Sequence, residues 1–169
     1  VRLRECRLTD AQRLGDIGEG FKLAMQTLDA FRVGVGAAAN GMATAALDDA
    51  IAHVNSRQQF GKKLAEQQMV QAYIAEMATE LDAGRLLVAR AAYEKDVRAE
   101  RASSQVAMAK LFATEAAQGI IDKAVQLHGG RGVLSGTRVE SLYRDIRPLR
   151  IYEGTSEIQK LIIARGLLK

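Results

Sequence analysis

The chain has no tryptophan, a single proline (Pro148), a single cysteine (Cys6), and only 5% aromatic residues. One cysteine builds neither a disulfide framework nor a thiolate metal site, and a reducing, cytoplasmic compartment fits its solitude. One proline and few β-branched runs leave the chain free to form long helices. No apolar run approaches the roughly 20 residues that a bilayer span needs, and no signal or transit peptide is visible. The two histidines, His53 and His128, have no metal-ligand spacing to each other or to a carboxylate pair, so no metal site is expected. Ser-His-Asp and Cys-His arrangements are missing as well.

What is present is ordinary for a globular domain: 169 residues, 48% hydrophobic and 26% charged, enough for one domain with a real core. The net charge of +4 suits an anionic partner such as a phosphate-bearing ligand. The basic residues are scattered, without a Lys/Arg block or interleaved aromatics, which argues against nucleic acid. The opening "VRLRECRLTDAQRLG" begins with Val1 rather than Met and reads as part of a longer protein.

The pattern along the chain predicts an all-α protein, an up-down four-helix bundle of long helices with short additional helices, preceded by a short strand remnant. Val1, Leu3, Glu5 and Arg7 alternate as the end of a strand, with a loop to about residue 17. From about Gly20 to Ser56, Leu28, Phe31, Val35, Ala38, Met42 and Ala46 form a helical stripe. A second helix carries Val70, Ile74, Met77, Leu81, Gly84, Val88 and Ala91. "EKDVRAERA" then reads as a charged loop. A third helix, about Ser103 to His128, is stopped by "GGRGVLSG". "RVESLYRDI" is a short helix ending before Pro148 and "SEIQKLIIARGLL" the last one.

Several stretches carry chemistry only in combination. In "IYEGTSEIQK", Ser156 and Gln159 have capping-box spacing and Glu157 suits the positive end of a helix dipole. Capping leaves Glu153, ahead of the box, without an explanation. "QLHGGRG" is either a helix C-cap or an amide-rich loop against an anion. Arg57 in "NSRQQFGKK" either complements a helix C-terminus or grips a phosphate. Asp29 and Arg32 are one turn apart, which by itself is a surface pair.

Taken in order, "GFKLAMQTLDAFR", "RQQFGKKLAEQQ", "QLHGGRG", "YRDIR" and "IYEGTSEIQ" resemble the C-terminal helical domain of the acyl-CoA dehydrogenases. The likeness runs from about Gly18 to Leu168. It implies that residues 1–17 are the end of the middle β-domain with its connecting loop, and 18–169 the C-terminal bundle. It further implies FAD-dependent oxidation of an acyl-CoA thioester to the trans-2-enoyl-CoA, with Glu153 as the base that removes the α-proton. By position, Arg57, Gln68, Gln126, Gly129 and Gly130 would contact the pyrophosphate and adenosine end of FAD from a neighbouring subunit. Thr155 and Glu157 would contact FAD within the same subunit, and Asp29, Arg32 and Gly154 the substrate. An electron-transfer flavoprotein as acceptor and a homotetramer, a dimer of dimers, are implied as well. Some members carry the base directly before the arginine of "LDxxR". Here that position is Phe31, which cannot act. Arg131, Lys63, Phe31 and His53 depart from common family residues and leave the acyl group open. An acyl-CoA oxidase and a non-catalytic helical module are the competing readings.

Overall fold

A computed structural model of the chain describes residues 2–98 and 102–168. Five α-helices lie among them: α1 (Gly20–Ser56), α2 (Gln68–Arg98), α3 (Ser103–His128), α4 (Arg138–Asp145) and α5 (Ser156–Leu167). The all-α expectation holds, but the bundle has five α-helices rather than four. Gly36 of α1 faces Val88 of α2, and Asn40 faces Gly84, so these two helices run antiparallel. Asp29 meets Ser103 at one end and His53 meets His128 at the other, so α1 and α3 run parallel. α5 returns along α3, with Ser156 at Glu115 and Gly166 at Ser104. The fifth helix, α4, comes between α3 and α5 in the chain and packs on α3 and α1.

Helix α1 keeps the expected bounds, but its buried stripe is rotated. Phe31 and Ala38 are exposed, whereas Val35, Ala39, Ala43, Ala46, Leu47, Ala50 and Val54 enter the core. Small side chains at i, i+4 spacing let α1 approach its neighbours closely, so alanine rather than phenylalanine marks the contact face. Met77 and Leu81 of α2 and Ala113, Ala117, Ile120, Ile121 and Ala124 of α3 complete the core.

The strand expected at the start is absent among the described residues: 2–9 form none, and Asp10–Gln12 is a single 3-10 turn. A strand needs a ladder partner, and none lies beside this segment; Val1 lies outside the described residues. Extended pairing occurs instead at β1 (Gln58–Gln59) and β2 (Lys62–Lys63), antiparallel with Gln58 opposite Lys63. Their hairpin turns through Phe60 and Gly61, both at positive φ (54° and 77°), as a two-residue primed turn requires. The "EKDVRAERA" loop is also corrected, because α2 continues through Glu94 to Arg98; residues 99–101 lie outside the described ones. Long unbranched charged side chains favour helix.

Candidate functional site

The candidate site is the turn that joins the 3-10 turn Arg147–Arg150 to α5. Two consecutive residues take left-handed backbone there, Glu153 at φ 57° and Gly154 at φ 88°. Glycine adopts this at no cost, whereas a glutamate costs on the order of 1–3 kcal/mol and persists only where its surroundings hold it.

Three helices supply that hold. From α1, Arg32 Nε donates to Glu153 O at 2.9 Å. From α3, Lys110 Nζ donates to Gly154 O at 3.0 Å. From α5, Gln159 Nε2 donates to Glu153 O at 3.2 Å and to Gly154 O at 2.9 Å. Arg32, Lys110 and Gln159 are all buried. Arg32 is itself fixed by Asp29 Oδ1, 2.9 Å from Nη1, and Ser103 Oγ donates to Asp29 Oδ2 at 2.9 Å. The pair expected on the surface is therefore part of the turn's support.

The expected capping box of Ser156 and Gln159 does not form. The N-cap of α5 is Thr155, whose hydroxyl accepts from Ile158 N at 3.4 Å. Ser156 donates to Glu115 on α3 instead, and Gln159 is spent on the turn carbonyls. Glu115 also meets Arg150 at 2.6 Å. Burial would push the Glu115 carboxyl up, but hydrogen bonds from Ser156 and Arg150 outweigh it and hold the group below its ordinary value. Beside the turn, the hydrogen bond from Thr155 and its own backbone N–H lower the Glu157 carboxyl.

Glu153 is half-buried, and its Oε2 is buried without a hydrogen-bond partner. An orphaned carboxylate oxygen is costly, and it leaves an acceptor position open to a group brought by a ligand.

The other expected contacts gather elsewhere. Arg57, Gly129 and Gly130 line an open cavity of about 500 Å³ with His53, His128 and Arg131. The rings of His53 and His128 stack with centroids 4.4 Å apart, a proximity their sequence separation concealed. Burial and then the charges of His128, Arg131 and Arg57 lower the His53 pKa. Gln126 is exposed in the last turn of α3 and Gln68 is exposed at the start of α2. This cationic cavity and the Glu153 turn are far apart: along α3 alone, Lys110 to His128 spans about 27 Å. Thus Glu153, Gly154, Thr155, Glu157, Asp29 and Arg32 come together, while Arg57, Gly129 and Gly130 form a second group.

Lys110 is the residue that the sequence patterns missed. Its signal was legible, because in "VAMAKLFA" it occupies the apolar stripe between Val106 and Ala113.

Comparison with known proteins bears on this geometry. Residues 18–168 match the family model for the acyl-CoA dehydrogenase C-terminal domain. A 3-(aryl)acrylate reductase of Clostridium sporogenes is 44% identical over 99% of this chain and 44% of its own length. The caffeyl-CoA reductase-Etf complex subunit CarC of Acetobacterium woodii is 43% identical over the same shares. The solved structure of butyryl-CoA dehydrogenase from Megasphaera elsdenii superposes with a TM-score of 0.89 at 40% identity, covering 92% of this chain and 40% of that one. The chain spans less than half the length of these relatives.

Proposed function

This chain belongs to the acyl-CoA dehydrogenase family, and from that premise we propose that Glu153 is the catalytic base of an FAD-dependent acyl-CoA dehydrogenase of which the chain forms the C-terminal domain. The observation that carries the reading is the half-buried carboxylate with an unpartnered oxygen, held on a left-handed turn by side chains from three helices.

The chemistry follows from that placement. The Glu153 carboxylate accepts the α-proton of a bound acyl thioester, and the β-hydrogen leaves with its electron pair as hydride. When bound, FAD supplies the acceptor for that hydride. A base near the α-carbon is effective only if its geometry is fixed before substrate arrives. The hydrogen bonds to the Glu153 and Gly154 carbonyls perform that fixing, and substrate that excludes water strengthens every charge interaction around it. The cavity lined by Arg57, Arg131, His53, Gly129 and Gly130 fits a dinucleotide diphosphate in the charge that its two guanidinium groups supply. Thr155 and Glu157 adjoin the base and suit the flavin end. The separation of the two groups supports a cofactor shared between two chains, within the expected homotetramer.

The same proton transfer runs in either direction. Relatives at 43–44% identity carry the names of reductases, which favours a second reading in which the protein reduces an α,β-unsaturated acyl-CoA. An electron-transfer flavoprotein serves as electron partner in both, and the name of the A. woodii relative supports it.

Anaerobic flavin bleaching by a panel of acyl-CoA thioesters, in the full-length protein and its Glu153→Gln variant, tests this. We expect a subset of thioesters to bleach the wild type and the variant to keep FAD while slowing by about 10²–10⁴-fold, the span of general-base contributions. Bleaching by Glu153→Gln at the wild-type rate refutes the assignment.

A further inference from the structure

Lys110 is the largest fully buried side chain among the described residues, with 0% of its surface exposed. It sits on the apolar face of α3, where a charge is costly unless something opposes it. Its Nζ donates to a neutral acceptor, Gly154 O, at 3.0 Å. That carbonyl has no need of it, because Gln159 Nε2 already donates there at 2.9 Å. A second buried cation, Arg32, converges on the adjoining carbonyl, Glu153 O, and it has Asp29 as a counter-ion. Burial first, and Arg32 second, push the Lys110 ammonium below its ordinary value, while Glu115, Glu153 and Glu157 draw it back up. An apolar side chain of similar volume would serve packing as well or better.

The geometry of the three donors shows what the ammonium adds. Gln159 lies on α5, directly after the turn, so its hydrogen bonds close the turn onto the helix that follows it. Arg32 ties it to α1. Arg150 and Ser156, which flank the turn, both meet Glu115 on α3. Among the described hydrogen bonds, however, the Gly154 carbonyl receives a donor from another helix only through Lys110, so without it the peptide between those flanks can pivot and move the carboxylate. After Arg32, Lys110 is the second anchor from another helix on the turn's own carbonyls, and it comes from α3, whose place relative to α1 is fixed by the apolar core.

We infer that Lys110 is a positioning residue: by fastening Gly154 O to α3 it sets the aim of the Glu153 carboxylate. The inference rests on the reading of Glu153 as the base.

The test uses the full-length, flavin-loaded protein as wild type, Lys110→Met, Lys110→Gln and Glu153→Gln. Four quantities are measured: flavin content, melting temperature, kcat with KM, and exchange of acyl-CoA α-hydrogen with D2O without electron acceptor. Lys110→Met is expected to keep its flavin, to melt at or above the wild-type temperature, and to hold KM within about twofold. Its kcat and α-exchange should fall together by about 10–100-fold, the scale of a small misplacement of a reacting group. Lys110→Gln, which keeps a donor on a shorter arm, should fall between. Wild-type exchange in both Lys110 variants, with exchange lost in Glu153→Gln, overturns the positioning role and leaves the base assignment standing. Loss of flavin or a collapse in melting temperature in both Lys110 variants overturns it too, because Lys110 is then a structural residue. Undiminished exchange in Glu153→Gln removes the base assignment, and this inference with it.

Discussion

Gly154 is constrained twice. Its φ of 88° disfavours any side chain, and a Cβ there would lie 2.8 Å from Gln159 Nε2 and 3.4 Å from Arg32 Nη2, the two side chains that hold the turn. Gly136 has a similar φ of 95° but open space around the same position, which makes it an internal reference for backbone strain alone. Gly136→Ala should cost about 1 kcal/mol in urea denaturation. Gly154→Ala should cost more, on the order of 2–3 kcal/mol, and should also lower kcat, because the turn must shift to admit the methyl group. Equal stability losses at the two positions would show that the donors around Gly154 yield freely. At this scale the sequence was partly legible. Glu153 stood out because capping chemistry left it over, yet the cap is Thr155 and not Ser156. Only Ser156 has the box spacing, to Gln159, but a hydroxyl at either position can cap, and the Glu115 carboxylate across on α3 draws Ser156 away and leaves the cap to Thr155. Lys110 went unread because periodicity counts apolar residues and passes over a charge among them.

Helix boundaries were legible where local sequence governs. Gly20–Ser56 follows from an uninterrupted helical pattern ended by Arg57 in extended backbone. The buried stripe of α1 was not legible, since which face turns inward depends on α2 and α3 rather than on α1. The N-terminal alternation failed for the same reason: a strand is defined by its neighbour. Contact between α2 and α3 also includes a polar element, Lys123 Nζ, 3.0 Å from Glu76 and 3.4 Å from Glu80. Burial tends to lower the Lys123 pKa, but the hydrogen bonds and charges of Glu76 and Glu80 outweigh it and raise the ammonium above its ordinary 10.5. A folded-state value above the unfolded one gives stabilisation that is complete below pH 10.5 and lost as pH rises through the folded value. The carboxylates are well exposed, so Lys123→Met should cost only about 0.5–1 kcal/mol at pH 7. The difference between the two proteins should shrink at pH 11 and above. A difference in urea midpoint that is constant across that range would assign the loss to the lysine's aliphatic packing instead.

At the scale of the whole molecule the arrangement of the two candidate groups leads to a definite expectation. Along α1, Arg32 and Arg57 are separated by about 37 Å of helix. One extended flavin dinucleotide does not reach from the Glu153 turn to the Arg57 cavity of the same chain. If both groups serve FAD, each site must combine the Glu153 end of one chain with the Arg57 end of another. In a two-fold pair the exchange is reciprocal. Complementation distinguishes this from a site confined to one chain. Glu153→Gln and Arg57→Ala, each inactive or nearly so alone, are co-expressed in the full-length protein with different tags, and the doubly tagged species is isolated. In a mixed pair, one site receives both defects, while the other joins the intact Glu153 of one chain to the intact Arg57 of its partner. Flavin bleaching should therefore return in about half of the sites of such a pair. With sites confined to single chains, every site in the mixed pair carries one defect and no activity returns. Recovery would also place the His53–His128 end of the bundle at an interface between chains, where its cationic cavity gains a ligand that the chain alone does not complete.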